Sequence, residues 1–104
     1  MDVRSLLKVM VEREASDLYL TIDAPPIYRV HGATQQTEAP PFTNEQLEAL
    51  ALALMRGQQR SEFEEKMEMN LALYYKELGR FRVNIFRQRG NVGLVFRHIK
   101  AEIQ

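Results

Sequence analysis

The sequence predicts an α+β domain in which helix, strands, helices and strands follow one another and the strands form an antiparallel sheet. Two patterns carry this expectation. Apolar residues recur at three- and four-residue spacing near the N-terminus and again after Pro41, whereas they alternate with polar residues between and beyond those segments. A third observation concerns charge. The 104-residue chain sets 14 Lys and Arg against 14 Asp and Glu, yet Arg80, Arg82, Arg87, Arg89, Arg97 and Lys100 fall between Gly79 and Glu102 with no acidic residue among them.

Val3, Leu6, Leu7, Met10 and Val11 mark the apolar face of a first helix that runs to about Glu14. Ser16 and Asp17 open a strand in which Leu18, Leu20 and Ile22 alternate with Tyr19 and Thr21, ending at Asp23. Pro25 and Pro26 cannot donate to a ladder and force a turn, so Ile27 to His31 form a second strand up to Gly32, and a short third strand around Thr34 to Thr37 completes a meander. Thr43 with Gln46 three residues later makes a capping box for a second helix whose core face is Leu47, Leu50, Ala51 and Leu54. Gly57 is expected in the left-handed position that ends it, followed by a short helix from about Gln58 to Lys66 with Phe63 turned inward. Met69, Leu71, Leu73 and Tyr75 then alternate as a strand, and a turn from Lys76 to Gly79 leads into the basic hairpin.

The apolar pattern also sets the register of that hairpin. Phe81, Val83 and Ile85 share a face with Val92, Leu94 and Phe96 when position 83 pairs with 96 and 85 with 94, and the same register places Arg82 directly opposite Arg97 on the outer face. Like charges directly opposite in a sheet cost roughly 0.2–1 kcal/mol, a cost that an anion between them reverses. Guanidinium groups present planar forks of donors that match phosphate or carboxylate oxygens, so the hairpin is either an anion-binding display or a solvated surface paired with acid elsewhere.

Several function classes are excluded or weakened. The chain is long enough for one small domain with a real core, but too short for a core plus a complete nucleotide-hydrolysing motor. No cysteine is present, which removes disulfides, thiol catalysis and cysteine-type zinc sites and is compatible with a reducing compartment. Lys8 and then Glu12 to Glu14 interrupt the apolar N-terminus, so neither a signal peptide nor a membrane span is expected and the default location is cytoplasmic. His31 and His98 lie at strand ends with no partner spacing for a triad or metal set, and no phosphate-binding loop occurs; the isolated chain is expected to be no enzyme, with no catalytic residue and no metal site. The aromatics near the arginines are needed for the core and the RNP1 pattern is missing, so no nucleic acid is expected as partner. Glu62, Glu64, Glu65 and Glu68 form an acidic cluster, either a solvated face or a patch for a neighbouring subunit.

Read together and in order, Ala15-Ser16-Asp17-Leu18-Tyr19-Leu20, Pro25-Pro26 with Arg29-Val30-x-Gly32, Gln59-Arg60 with Phe63-Glu64, Gly79-Arg80-Phe81-Arg82-Val83-Asn84 and Val95-Phe96-Arg97 resemble the N-terminal domain of the type IV pilus retraction ATPases of twitching motility, the PilT and PilU family. The resemblance spans essentially the whole chain. It implies a single PAS-like domain over residues 1–104, an antiparallel sheet flanked by helices, that a RecA-like motor domain would follow after Gln104. It further implies that Arg82 and Arg97 reach the phosphates of ATP held by the motor domain of the same or a neighbouring subunit, with Arg80 and Arg29 in supporting roles. ATP and Mg2+ belong to the full-length protein and neither is expected on the isolated domain.

By the same resemblance the full-length protein is a homo-hexameric ATPase at the cytoplasmic, inner-membrane base of the pilus machinery, without membrane insertion, and this domain supplies an intersubunit interface. Tyr19 stands where the retraction motor commonly has His in its Ser-Asp-Leu-His-Leu motif, which places the chain nearer the PilU type and removes any titrating imidazole there. A second possibility is a stand-alone PAS-like module that binds a small ligand or a protein.

Overall fold

A computed structural model describes residues 2–100. Glu102, which closes the acid-free segment, and the expected domain end at Gln104 lie outside the described residues. The element order is α1 (Val3–Glu12), β1 (Asp17–Leu20), β2 (Ile27–Val30), β3 (Ala33–Gln36), α2 (Asn44–Leu54), α3 (Gly57–Lys66), β4 (Glu68–Tyr75), β5 (Gly79–Gln88) and β6 (Asn91–Ile99). All six strands join one antiparallel sheet in the order β3-β2-β1-β6-β5-β4, so the pairing of β1 with β6 fuses the two groups of strands.

The period-2 alternation divides the sheet into two unlike faces. Leu18, Leu20, Tyr28, Met69, Phe81, Val83, Ile85, Leu94 and Phe96 are buried and share one core with Val3, Leu6, Leu7 and Met10 of α1, Leu47 and Ala51 of α2, and Phe63 of α3. Each fully buried Leu or Phe contributes about 1.5–3 kcal/mol, so this shared face is what makes helices and sheet one cooperative unit. The helices thus cover the inner face.

Local chemistry sets the helix ends. The Asp2 side chain accepts from the Ser5 amide at 2.8 Å and starts α1. It stops at a Schellman turn, with Glu14 left-handed at φ 57° and the Ala15 amide donating to the Met10 carbonyl at 2.9 Å. The Thr43–Gln46 capping box forms as expected. Gly57, in contrast, is the first residue of α3 and not a left-handed end to α2, because Met55 and Arg56 leave α2 in extended conformation. The donors that a glycine turn would have turned toward the last carbonyls of α2 come instead from Arg60, whose guanidinium reaches the Leu52 carbonyl at 2.6 Å and the Met55 carbonyl at 3.1 Å. Gln59 accepts from the Arg56 amide at 2.9 Å and starts α3.

Hairpin turns fix the registers. Arg89 (φ 54°) and Gly90 (φ 81°) form the two-residue turn between β5 and β6, the left-handed pair that matches the twist of the strands. The resulting register pairs Val83 with Phe96, Ile85 with Leu94 and Arg82 with Arg97, as the apolar pattern requires. Gly93 sits under the Phe86 ring on the outer face; a Cβ there would lie 2.5 Å from Phe86 Cζ, so glycine is what lets the ring lie across β6.

Arg87 departs from the expected display of arginines. It follows Phe81, Val83 and Ile85 on the inner face, its side chain is only 18% exposed, and Nη2 bridges Glu48 of α2 at 2.8 Å and Glu64 of α3 at 2.9 Å. Its Cζ also lies 5.3 Å from the Phe63 ring centroid. Burial works against the charged form, but the two glutamates outweigh it and hold the guanidinium above its ordinary range. Strand alternation puts the residue inside, and two helices supply the acid that makes this tolerable. Arg87→Ala should therefore lower unfolding free energy by roughly 2 kcal/mol, because it leaves two carboxylates facing an emptied site, and Arg87→Lys should recover less than half of that. Urea denaturation checks both.

Tyr28 ties β2 to α1, its hydroxyl donating to the Leu6 carbonyl at 2.8 Å. Burial pushes its phenol up from 10.0 to about 12, with Arg13 pulling weakly the other way. The folded state thus holds this proton more tightly than the unfolded chain does. Its contribution is complete below pH 10 and is lost as pH rises toward about 12. Absorbance at 295 nm should show one phenol ionising near pH 12, together with loss of far-ultraviolet dichroism, and Tyr28→Phe should abolish that step.

Candidate anion-binding face

The outer face of the sheet lacks a helical cover, and the strand registers line up a row of charges across it. Arg29 on β2 pairs with Asp17 on β1, Asp17 with Arg97 on β6, and Arg97 with Arg82 on β5. Adjacent strands lie about 4.8 Å apart, so three arginines and one aspartate occupy some 14 Å of surface. Arg80 stands one rung along β5, opposite Ile99 and Tyr74, with Cζ 5.9 Å from the Tyr74 ring centroid. The structure therefore brings Arg82 and Arg97 together, sets Arg29 beyond Asp17, and sets Arg80 beside the row.

The electrostatics of the row are uneven. Asp17 is the one buried charged residue among the described residues. Its Oδ1 accepts from Arg97 Nε at 3.2 Å and its Oδ2 from the Ser16 hydroxyl at 2.7 Å. Ser16 is itself held between strands: its amide donates to the Arg29 carbonyl at 2.8 Å and its carbonyl accepts from the His98 amide at 3.3 Å. The Asp17 side chain is 7% exposed and that of Arg97 is 71% exposed, so a rooted carboxylate carries a guanidinium whose terminal nitrogens stand in solvent. Among the described residues no ion pair involves Arg82, Arg29 or Arg80. A shallow depression of about 500 Å³ beside the pair is lined by Asn70, Arg82, Asn84, Val95 and Arg97. Asn84 is fixed by donating to Glu68 at 3.0 Å and to Asn70 at 2.9 Å.

This arrangement can hold an oxyanion between two forks, one oriented by a neighbouring carboxylate. Neither histidine joins the row. The His98 ring stacks on Phe81 at 4.8 Å on the inner face, with Nε2 3.2 Å from the Leu78 carbonyl, and His31 lies in the β2–β3 turn with φ 50°. Most of the acidic cluster has local partners: Glu62 pairs with Lys66 at 2.9 Å, Glu64 with Arg87 at 2.9 Å, and Glu68 accepts from Asn84 at 3.0 Å. Among the described residues no cluster of His, Asp and Glu could hold a metal ion, and no helix is long and apolar enough to cross a membrane.

The sequence places Asp17 at the start of a strand and in the first resemblance motif, without a partner; the structure makes it the anchor of Arg97. The signal available was its motif position; its partnership with Arg97 needed the β1–β6 pairing, which joins residues 80 positions apart. The Gln59-Arg60 and Phe63-Glu64 motifs resolve into a helix cap, a carbonyl clamp, a core side chain and an ion pair, all of them structural.

The chain as a whole has relatives among known proteins. No protein-family model matches the chain. It is 40% identical over 103 residues to the type IV pilus ATPase PilU of Pseudomonas aeruginosa and 37% identical over 103 residues to the type IV pilus retraction ATPase PilT of the same organism. Each match covers 99% of this chain but only 27% and 30% of those proteins, so the chain spans less than a third of their length and corresponds to their N-terminal part. Among solved structures, the pilus retraction motor PilT with bound ADP superposes with a TM-score of 0.90 at 33% identity, over 100% of this chain and 31% of that one. The Legionella pneumophila ATPase DotB shares the fold, with a TM-score of 0.79 at 16% identity over 94% of this chain and 28% of that one. The antiparallel sheet with its helices matches the N-terminal domain of PilT, as the resemblance implied.

The two central arginines should differ in their effect on stability. Arg82→Ala should be neutral or stabilising by up to about 1 kcal/mol, since it relieves a like-charge pair. Arg97→Ala should cost roughly 1–2 kcal/mol, since it strips a buried carboxylate of its partner. Chemical denaturation of the two variants checks the asymmetry.

Proposed function

We infer that this chain, a homologue of the N-terminal part of the PilT and PilU pilus ATPases, is the phosphate-facing domain of a pilus retraction motor. The observation that carries this reading is the Arg82–Arg97 pair on an uncovered sheet face, with Arg97 oriented by Asp17. Such a pair costs stability in the domain alone and is repaid by an anion. ATP supplies the terminal phosphate whose oxygens gather charge during phosphoryl transfer, and positioned guanidinium donors stabilise that charge. Arg82 and Arg97 are the donors; Arg80 and Arg29 raise the local positive field from either side.

The rest of the assignment follows from this division of labour. A RecA-like motor domain beyond this chain carries the phosphate-binding loop and, with it, ATP and Mg2+; the residues here suit phosphate oxygens, not a cation. The chain alone is no ATPase. The outer sheet face docks on a motor domain of the same or a neighbouring subunit in a hexameric ring at the cytoplasmic base of the pilus machinery. Because the arginines move with this domain, docking and nucleotide state are coupled. A stand-alone ligand-binding module is the other possibility; the depression mixes Leu71, Ala72, Val83 and Val95 with Asn70, Asn84, Arg82 and Arg97, and it is the paired guanidinium groups that favour an anion.

In the chain joined to its motor domain, Arg82→Ala or Arg97→Ala should cut ATP turnover by tenfold or more with far-ultraviolet dichroism unchanged, since an arginine reaching a transferring phosphoryl group is worth roughly 10³- to 10⁵-fold. Steady-state phosphate release measures it. Unchanged turnover in both variants would sink the assignment.

A further inference from the structure

Outward-facing positions on three strands frame the depression beside the arginine pair. Asn70 and Ala72 on β4 stand opposite Asn84 and Arg82 on β5, which stand opposite Val95 and Arg97 on β6, so a rung with two amides runs alongside the rung of guanidinium groups. Along β5 the two rungs are about 7 Å apart, and the short side chains of Ala72 and Val95 leave the space between them open. The Asn84 carboxamide has only one orientation open to it. Its Nδ2 donates to Glu68 Oε1 at 3.0 Å and to Asn70 Oδ1 at 2.9 Å, and a carboxylate accepts but never donates, so the nitrogen and not the oxygen must face Glu68. Both amide hydrogens are thereby used. Oδ1, at the other corner of the plane, turns away from β4 and accepts from no group among the described residues. Asp17, the other acceptor near the pair, is filled by Arg97 Nε and the Ser16 hydroxyl. The depression thus joins two guanidinium forks to one fixed, unused acceptor.

We propose that Asn84 Oδ1 makes this site selective for an oxyanion that carries a hydrogen, so that it recognises released inorganic phosphate over the phosphoryl group of the nucleotide; the proposal rests on the reading of Arg82 and Arg97 as phosphate donors. Guanidinium groups alone cannot draw this distinction. They donate to any oxyanion oxygen, whereas a carbonyl oxygen repels a bare anionic oxygen and accepts from a P–OH group. In hydrolysis the oxygen of water bonds to phosphorus while the bond from phosphorus to the ADP oxygen breaks, its electron pair going to ADP. One water hydrogen leaves as a proton and the other stays on the new phosphate. A phosphoryl group still bonded to the nucleotide is largely without hydrogen above about pH 7, and the freed phosphate keeps at least one. Two donors fit both species, and Asn84 adds a contact that only the product completes. Glu68 and Asn70 are positioning residues, since they hold the carboxamide with its oxygen toward the anion.

Amide nitrogen–proton resonance spectra of this chain test the selectivity when it is titrated with inorganic phosphate, sulfate or methyl phosphate at constant ionic strength and about pH 8. All three are dianions there, and only inorganic phosphate carries a hydrogen. The signals of Arg82, Asn84 and Arg97 should move with each anion, and phosphate should bind about fivefold or more tighter than the other two, the worth of one net hydrogen bond. Asn84→Leu should bring phosphate down to the level of sulfate with the dichroism spectrum unchanged. Glu68→Gln, whose side chain can donate and so lets the Asn84 carboxamide turn over, should shrink the ratio of phosphate to sulfate affinity, a readout that a merely structural role would not move. Equal affinity for the three dianions, or a preference for phosphate that survives Asn84→Leu, would overturn the role of Asn84 and leave the anion site standing. Signals that move with none of them would remove the anion site itself, and the proposal with it.

Discussion

The pairing of Val83 with Phe96 and of Ile85 with Leu94 governs both faces of this domain. Because side chains alternate strictly along a strand, the register that buries these four apolar residues leaves no choice about Arg82 and Arg97, which must meet on the opposite face. A slip of one residue would bury Arg82 and bring the phenylalanines into water, at a cost of several kcal/mol from the buried aromatics alone. The like-charge pair outside is thus enforced by the core inside. Its repulsion, at most about 1 kcal/mol, is too small to shift a register secured by that much apolar surface.

The arginines of a charge-segregated segment turn out to have separate physical roles. Arg87 points inward and ties α2 and α3 to the sheet through Glu48 and Glu64. Arg89 serves the turn with a left-handed backbone. Outside the segment, Arg60 closes the end of α2, replacing a glycine turn with side-chain donors. What remains pointing outward is a smaller set: Arg80, Arg82 and Arg97, with Arg29 arriving from β2. A charge count along the chain therefore overstates the display, and the sheet alternation corrects it.

Which features were legible in the sequence follows the range of the interactions involved. The hairpin register, the Thr43–Gln46 capping box and the inward Phe63 depend on neighbours a few positions apart or on one apolar period, and all are present. The expectation for Gly57 failed because a side chain three residues further on did what the backbone was expected to do. Arg87 was misplaced because its acidic partners lie 39 and 23 positions away on two helices, beyond any local pattern. The partner of Asp17 is hidden for the same reason, since the contact with Arg97 exists only once β1 lies beside β6. Residue type and alternation carry the scaffold; the electrostatic partners of the site are a product of the closed sheet.

On the proposed reading, in which Arg97 meets phosphate, Asp17 has a further consequence. It is an anion tethered to the site, always present at fixed distance, and its charge already offsets part of what Arg97 offers to an incoming oxyanion. A diffusing phosphate meets a site that is never wholly empty of negative charge, so occupancy is weaker and departure faster than two unaccompanied guanidinium groups would allow. If the domain serves a cyclic motor as proposed, release of product matters as much as grip on substrate, and a resident counter-charge shifts that balance toward release.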